Sequence, residues 1–249
     1  MAERLRLYGL KALVTSAAGG IGEAVSRTLV KHGASVIAVD VPGSGVEQHF
    51  ASVKGIVGLT ANLGDATRMP ALVEEVLELS GGLDIVICDF PLQPETPLAD
   101  GDPALAELLE SRAGLVMSLC RSALPQLKKS PGGRIVTIGF LRSAFSADGE
   151  QASAQAENDL AALTRALAGE IGEFGITANY IQPGAIMTPV SREVFRNDTT
   201  LRDFCIANSA ANRLGEPIDV AKVALFLASD DAGFVSGTGI AVDGGRAIR

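Results

Sequence analysis

Cysteine and histidine are scarce in this chain of 249 residues. It contains three cysteines, which stand far apart without any Cys-x-x-Cys motif, and only two histidines. Disulfide scaffolds and structural zinc sites need several such residues at characteristic spacings. The sequence therefore predicts neither a disulfide framework nor a metal site.

Basic residues and long apolar runs are also few. Lysine and arginine number 21 against 29 aspartates and glutamates, which gives a net charge of −8. Nucleic acids and anionic membrane surfaces attract cationic proteins, so we expect neither as a partner. No apolar run reaches the roughly 18 residues of a membrane-spanning helix, and the charged amino-terminal segment is unlike a signal peptide. These features predict a cytoplasmic protein.

Short, almost wholly apolar runs alternate along the chain with longer segments of helical periodicity. A strand that is covered on both faces has such continuous apolarity, whereas a strand with one wet face alternates apolar and polar residues. The apolar runs lie at residues 12–15, 35–39, 55–59, 83–88, 134–138 and 176–181, and the helical segments at 20–32, 65–80, 102–129, 151–174 and 217–229.

This alternation predicts an α/β fold, namely a Rossmann-type doubly wound parallel sheet with helices on both faces. We expect residues 1–249 to form a single domain, in which residues 188–213 make a helical flap. In folds of this class the ligand crevice lies at the carboxyl ends of the strands. Candidate functional residues are therefore those that follow the strands directly.

A glycine-rich segment, TSAAGGIG, follows the first predicted strand and opens into a helix. Glycines at such a turn allow the backbone to approach a pyrophosphate, and the helix amino terminus favours an anion. Gly20, Ile21 and Gly22 are the candidate cofactor-binding residues of this turn. Asp40 ends the second strand, where a carboxylate can bind a ribose 2′-hydroxyl and would repel a 2′-phosphate. The pattern favours NAD over NADP.

The chain resembles the short-chain dehydrogenase/reductase family along its whole length. The segments that carry the resemblance are LYGLKALVTSAAGGIG, ANYIQPGAIMTP and the carboxyl-terminal third from NRLGEPIDVAKV to AVDGG. The resemblance implies a Rossmann-type domain, a tetramer and hydride transfer between a nicotinamide and an alcohol or ketone. It also makes Thr188, in the second segment, a candidate contact of the cofactor.

The residues that perform catalysis in this family are missing. Family members use a tyrosine, whose pKa is lowered by a lysine four residues later, with a serine about 13 residues before the tyrosine and an asparagine in the preceding long helix. This chain has tyrosine only at Tyr8 and Tyr180, and the residues four positions later are Ala12 and Gly184. No Tyr-x-x-x-Lys motif therefore exists anywhere in it.

The run LTRALAGE, which resembles the segment after the family's lysine, indicates what replaces each residue. It places Ser153 at the tyrosine position, Glu157 at the lysine position and Phe140 at the serine position. The asparagine position falls at Ser111 or Arg112. A serine hydroxyl without an adjacent base is too weak an acid to replace the tyrosine, and an anion beside it raises its pKa further. We therefore predict no catalytic residue in this chain.

The cofactor site departs from the family pattern as well. Ser16 replaces the first glycine of the loop, and Asp89, Phe90 and Pro91 stand within a segment that reads Asn-Asn-Ala-Gly in the family. Asp89 and Glu157 place negative charge near a pyrophosphate, and each unfavourable pair costs on the order of 3–4 kcal/mol at an effective dielectric constant near 20. We expect weak NAD binding or none.

Three hypotheses for function follow. The first is a catalytically inactive member of the family that assembles, as in a tetramer, with an active sibling subunit that binds NAD; the losses are similar to those of inactive subunits in hetero-oligomeric dehydrogenases. The second is an active NAD-dependent alcohol or ketone oxidoreductase that uses Glu157 or Asp148 as a non-standard acid. The third is a lyase or dehalogenase offshoot of the family.

Overall fold

The computed structural model describes residues 6–90, 103–139 and 150–245, and for 103–110, 150–154 and 156 it describes the backbone alone. Seven strands lie in this part of the chain: β1 (Lys11–Thr15), β2 (Ser35–Asp40), β3 (Ile56–Thr60), β4 (Ile85–Cys88), β5 (Arg134–Ile138), β6 (Thr177–Pro183) and β7 (Gly239–Val242). The helices are α1 (Gly20–Lys31), α2 (Val46–Phe50), α3 (Met69–Ser80), α4 (Pro103–Leu127), α5 (Glu150–Ile171), α6 (Pro189–Asn197), α7 (Thr199–Asn208) and α8 (Pro217–Ala228).

The strands form one parallel sheet in the order β3-β2-β1-β4-β5-β6-β7. The order of connection reverses between β1 and β4, where Val14 lies opposite Ile87. Sheets of this topology bind their ligands outside the carboxyl ends of the two strands at such a reversal. The prediction of a Rossmann-type α/β fold is confirmed, and β1 and β4 define where its crevice lies.

Alternate residues of each strand enter two separate hydrophobic cores. On β2, Val36 and Ala38 pack with α1, α2 and α8, whereas Ile37 and Val39 pack on the other face with α3, α4 and α5. Successive side chains of a strand point to opposite faces of the sheet, so both residue sets must be apolar when helices cover both faces. The continuous apolar runs in the sequence have this cause.

The sequence does not predict two of the elements. Strand β7 is at the edge of the sheet and only half-buried, so it lacks the continuous apolarity of the inner strands. Helix α2 has five residues, too few to establish a helical period.

The segment predicted as a flap contains α6 and α7. These helices pack on a small hydrophobic cluster of their own, centred on Phe195 and Cys205. The segment leaves and rejoins the domain at a bridge between Ile186 and Gly215, where the Met187 N–H donates to the Gly215 carbonyl over 2.8 Å. The flap is therefore fixed at its base.

Because helices cover the sheet, substitutions in its inner strands should lower the free energy of unfolding much more than substitutions in its edge strands. Ile87 of β4 is fully buried, whereas Val57 of β3 is 47% exposed. Ile87→Ala should lower the free energy of unfolding by about 2–5 kcal/mol because it leaves a cavity. Val57→Ala should cost less than about 1 kcal/mol. Urea unfolding followed by circular dichroism measures both, and equal losses would contradict this description of the core.

Candidate functional site

The glycine-rich turn lies at the carboxyl end of β1, in the crevice predicted from the sequence. Gly20 adopts a φ of 58° and packs against Thr188, whose Cγ2 atom would lie 3.3 Å from an added Cβ. At Gly22 an added Cβ would overlap the carbonyl oxygen of Ser16. The first position needs a backbone conformation that glycine favours, and the second needs its lack of a side chain. Both glycines are thus required by the turn itself.

Asp40, the last residue of β2, holds this turn in place. One of its carboxylate oxygens accepts the Ala18 N–H over 2.7 Å, and the other accepts the Val41 N–H, also over 2.7 Å. The residue is only 8% exposed. Both oxygens therefore already serve the backbone around the glycine-rich turn, and little carboxylate surface is left for a ribose.

A group of hydrogen bonds, which we call the clasp, joins the ends of β1 and β4. The hydroxyls of Thr15 and Ser16 donate to the backbone carbonyl of Asp89 over 2.5 and 2.7 Å. The Asp89 N–H donates in return to the Thr15 hydroxyl over 2.8 Å. The clasp thus satisfies both backbone groups of Asp89 with side chains from the neighbouring strand end.

Ser16 takes part in the clasp with a strained backbone conformation. Its φ of 53° lies in the left-handed region, and among the residues described only Asn212 is another non-glycine residue with a positive φ. A residue with a Cβ pays roughly 1–2 kcal/mol for this conformation. The position is the one at which the family resemblance leads us to expect glycine, and the hydrogen bond to Asp89 offsets part of the strain.

Phe90 points into the protein interior. It is 2% exposed and belongs to the same buried cluster as Leu63 and Leu115. These side chains come from the segment after β3 and from α4, so the ring fills the space between β4 and those two elements. The ring therefore lies in the core, behind the crevice. Pro91 lies outside the described residues.

Arg112 of α4 reaches into the crevice from the side opposite the glycine-rich turn. It is 7% exposed, whereas its neighbour Ser111 faces solvent. One guanidinium nitrogen donates to the carbonyl of Ile138, the last residue of β5, over 2.6 Å, and lies 3.5 Å from the carboxylate of Asp89. Of the two residues proposed for the asparagine position, Arg112 is therefore the one that faces the site.

This ion pair changes the electrostatics expected from the sequence. Asp89 was expected to contribute an uncompensated negative charge, but the Arg112 guanidinium lies beside it. Burial raises the pKa of Asp89 to about 6, with Arg112 lowering it and Asp40 raising it further. Burial also lowers the pKa of Arg112. The repulsion that Asp89 exerts on an anion is thus smaller than the expected 3–4 kcal/mol.

The remaining predicted positions lie on or near α5. Ser153 is in the first turns of this helix, and Glu157 is half-buried one turn further on. Phe140 and Asp148 lie outside the described residues. Neither tyrosine is near the crevice. Tyr8 is 79% exposed and precedes β1, so it lies at the amino ends of the strands. The Tyr180 ring packs on Gly239 of β7.

The sequence analysis missed the roles of Thr15 and Ser16. A signal was present, because the doubly wound topology makes the strands β1 and β4 neighbours, so hydroxyls that end β1 must lie beside the residue that follows β4.

The described residues contain no group of three or more histidine, cysteine, aspartate or glutamate side chains that could hold a metal ion. No helix in the same part of the chain has the length and apolarity to cross a membrane.

The fold and the glycine-rich turn define a Rossmann-type α/β protein, and comparison with known proteins narrows the class. Residues 16–247 match the family described as enoyl-(acyl carrier protein) reductase. The chain belongs to the short-chain dehydrogenase/reductase family.

Relatives cover nearly the whole chain. Subunit BbsD of (2S)-[(R)-hydroxy(phenyl)methyl]succinyl-CoA dehydrogenase from Thauera aromatica is 30% identical over 247 residues, which are 95% of this chain and 96% of the relative. The 3-oxoacyl-[acyl-carrier-protein] reductase FabG of Haemophilus influenzae is 31% identical over 242 residues, 96% of this chain and 98% of the relative. The Pseudomonas aeruginosa FabG is 31% identical over 246 residues, with 97% and 98% covered.

The clasp predicts different outcomes for two substitutions of Ser16. Ser16→Ala removes a hydrogen bond and keeps the strained φ, so it should lower the free energy of unfolding by about 1 kcal/mol. Ser16→Gly loses the same bond but relieves the strain, and it should be more stable than Ser16→Ala by about 1 kcal/mol. Urea unfolding measures both. An alanine variant as stable as the unmodified protein would show that the clasp contributes nothing.

The raised pKa of Asp89 predicts a particular dependence of stability on pH. As the pH falls through about 6, the folded protein takes up a proton at Asp89, whereas the unfolded chain, with a pKa near 3.8, does not yet do so. Folding is therefore favoured as the pH falls toward 4, by about 3 kcal/mol at most. Asp89→Asn cannot titrate and should lack this contribution.

Unfolding of both proteins in urea between pH 7.5 and 4.5 tests this prediction, because all other titrating groups are common to the two. The unmodified protein should gain stability relative to Asp89→Asn as the pH falls. A difference that stays constant, or that changes in the opposite direction, would show that Asp89 is ordinarily solvated.

Proposed function

We propose that this chain is a non-catalytic subunit that assembles with a catalytically competent sibling of the same family. The sibling supplies the Tyr-x-x-x-Lys motif and binds NAD, and this chain contributes its fold to the assembly. A subunit of this kind needs no proton-transferring residues of its own, and the sequence contains no Tyr-x-x-x-Lys motif.

Arg112 is the observation that carries the proposal. In active relatives the resemblance leads us to expect an asparagine and a water molecule at this position. Here a buried guanidinium donates to the Ile138 carbonyl and pairs with Asp89. Arginine stays protonated in proteins and has no acceptor atom, so it cannot take a place in a chain that passes protons. Its side chain instead braces α4 against β4 and β5.

The residues of the cofactor site also support the proposal. The carboxylate of Asp40 is nearly buried and already accepts two backbone N–H groups, which leaves little of it for the adenosine ribose. Glu157 stands where a cation would otherwise meet the nicotinamide ribose. The glycine-rich turn alone would admit a pyrophosphate, but the groups around it do not fit the two riboses of NAD. We therefore derive no catalytic step through a cofactor in this chain.

The nature of the partner is inferred from the comparisons. The Thauera relative is named as a subunit of a dehydrogenase, and it aligns with this chain from end to end. We infer that this chain is likewise a subunit of an assembly, and we propose that the assembly joins an active and an inactive member of one family, as in a mixed tetramer. Its substrate would be an alcohol or ketone bound by the active subunit.

The proposal predicts how the purified chain behaves toward NADH. Alone, it should show no saturable NADH binding up to about 1 mM, which corresponds to less than about 4 kcal/mol of binding free energy. The chain contains no tryptophan, so NADH fluorescence can be titrated without interference from indole emission. Expressed together with a family member from the same genome that carries Tyr-x-x-x-Lys, the chain should co-purify as a hetero-oligomer that binds NADH only in the sibling subunits.

A variant of the sibling makes the test decisive. Replacing the motif tyrosine of the sibling by phenylalanine should abolish all turnover by the assembly, because this chain supplies no substitute. The hypothesis of an active enzyme predicts residual turnover that disappears in Glu157→Gln. Oxidation of an alcohol at an ordinary enzymatic rate by the isolated chain, free of sibling, would overturn the proposal.

A further inference from the structure

Two buried cysteines lie side by side beneath the crevice. Cys88 is the last residue of β4, and Cys120 faces it from α4; both are inaccessible to solvent, and their sulfur atoms are 3.9 Å apart. Neither is in a disulfide. The third cysteine, Cys205, is in the separate cluster of the flap. The sequence separation of 32 residues gave no indication that the first two would meet.

The surroundings of the pair are apolar except on one side. Both sulfurs belong to the core between the sheet and the helices α3, α4 and α5. The hydrogen bond with Cys120 and then burial raise the pKa of Cys88 well above its usual range, while Arg112 and the side chain of Thr137 lower it. The folded protein therefore holds Cys88 as a neutral thiol.

The separation of the sulfurs favours a disulfide as the product of this pair. A disulfide bond is about 2.0 Å long, so the two sulfurs, now 3.9 Å apart, must approach each other by about 1.9 Å through side-chain rotation and movement of α4 against β4. The product is uncharged, like the thiols it replaces. A metal ion held by two thiolates would need further ligands or leave charge in an apolar core, which is costly.

We propose that Cys88 and Cys120 form a reversible disulfide and make this chain an oxidisable subunit. The two thiols reduce one molecule of a low-molecular-weight disulfide, such as oxidised glutathione. One sulfur–sulfur bond forms in the protein as one breaks in the oxidant, and two electrons and two protons pass to the oxidant as its two thiols. The proposal does not depend on whether the chain binds NAD.

The new bond would act directly on the crevice. Cys88 is covalently joined to Asp89, whose carbonyl accepts the hydrogen bonds of the clasp. Cys120 lies eight residues after Arg112 on α4, about two turns along the same face of the helix. Drawing the two sulfurs together therefore moves β4 and α4 relative to each other. This movement would alter both the clasp and the ion pair between Asp89 and Arg112.

Burial determines how the experiment must be done. Both thiols are inaccessible to solvent, so an oxidant meets them only when the structure opens. Refolding from urea in a buffer of oxidised and reduced glutathione lets the pair reach equilibrium regardless of access. The remaining thiols are then alkylated under denaturing conditions, and the intact mass counts them.

Three variants make the count specific. In Cys205→Ser, which retains only the pair, refolded monomer should lose two hydrogens and take up no alkylating agent, and dithiothreitol should restore two alkylated thiols. Cys120→Ala, which retains Cys88 and Cys205, should stay fully alkylated, as should Cys88→Ala. These controls exclude random pairing, because each also contains two cysteines.

The oxidised protein must also be native. Refolded Cys205→Ser should elute as the unoxidised protein does and give the same circular dichroism spectrum, and hydrogen exchange at the Asp89 amide, which donates to Thr15, should be altered. Native Cys205→Ser with both thiols free at equilibrium, or a disulfide found only in aggregated material, would overturn the proposal. Altered exchange without a disulfide would also overturn it.

Discussion

The contact between the ends of β1 and β4 is the constraint on which the rest of the site depends. In a doubly wound sheet these two strands are neighbours at the point where the connections reverse, and the chain must leave both of them without stranding buried backbone groups. The hydroxyls of Thr15 and Ser16 solve this problem by taking the carbonyl of Asp89. Ser16 accepts a strained φ to do so. The hydrogen bonds to the Asp89 carbonyl fix where Asp89 and Phe90 can lie.

The buried charges follow from this placement. With its backbone held by the clasp, Asp89 directs a carboxylate into an apolar region, which is unfavourable unless a cation compensates it. Arg112 provides that cation and also satisfies the Ile138 carbonyl. The side chain thus links three elements around the crevice. A pKa of about 6 for Asp89 indicates that the compensation is incomplete, so the site stores an electrostatic cost that protonation can relieve.

Much of the fold could be predicted from the sequence, because burial on both faces of a sheet leaves a direct trace in the residues. The five inner strands appear as continuous apolar runs for this reason, and the edge strand β3 also appears as one, while the half-buried edge strand β7 does not. The crevice could be located because topology alone determines it. The partners of Arg112 and the contact between Cys88 and Cys120 could not be predicted, because they join residues 23 to 32 positions apart whose side chains meet only once helix and strand are packed.

The glycine-rich turn shows why a motif and a function can separate. Gly22 is required because a side chain there would overlap Ser16, and Asp40 is required because it binds the backbone N–H of Ala18. Both requirements concern the folding of the turn and hold whether or not a dinucleotide is present. A chain released from catalysis would therefore keep these residues, since losing them destabilises the domain. Proton-transferring residues have no such second role, so a chain released from catalysis would lose them with both cores intact.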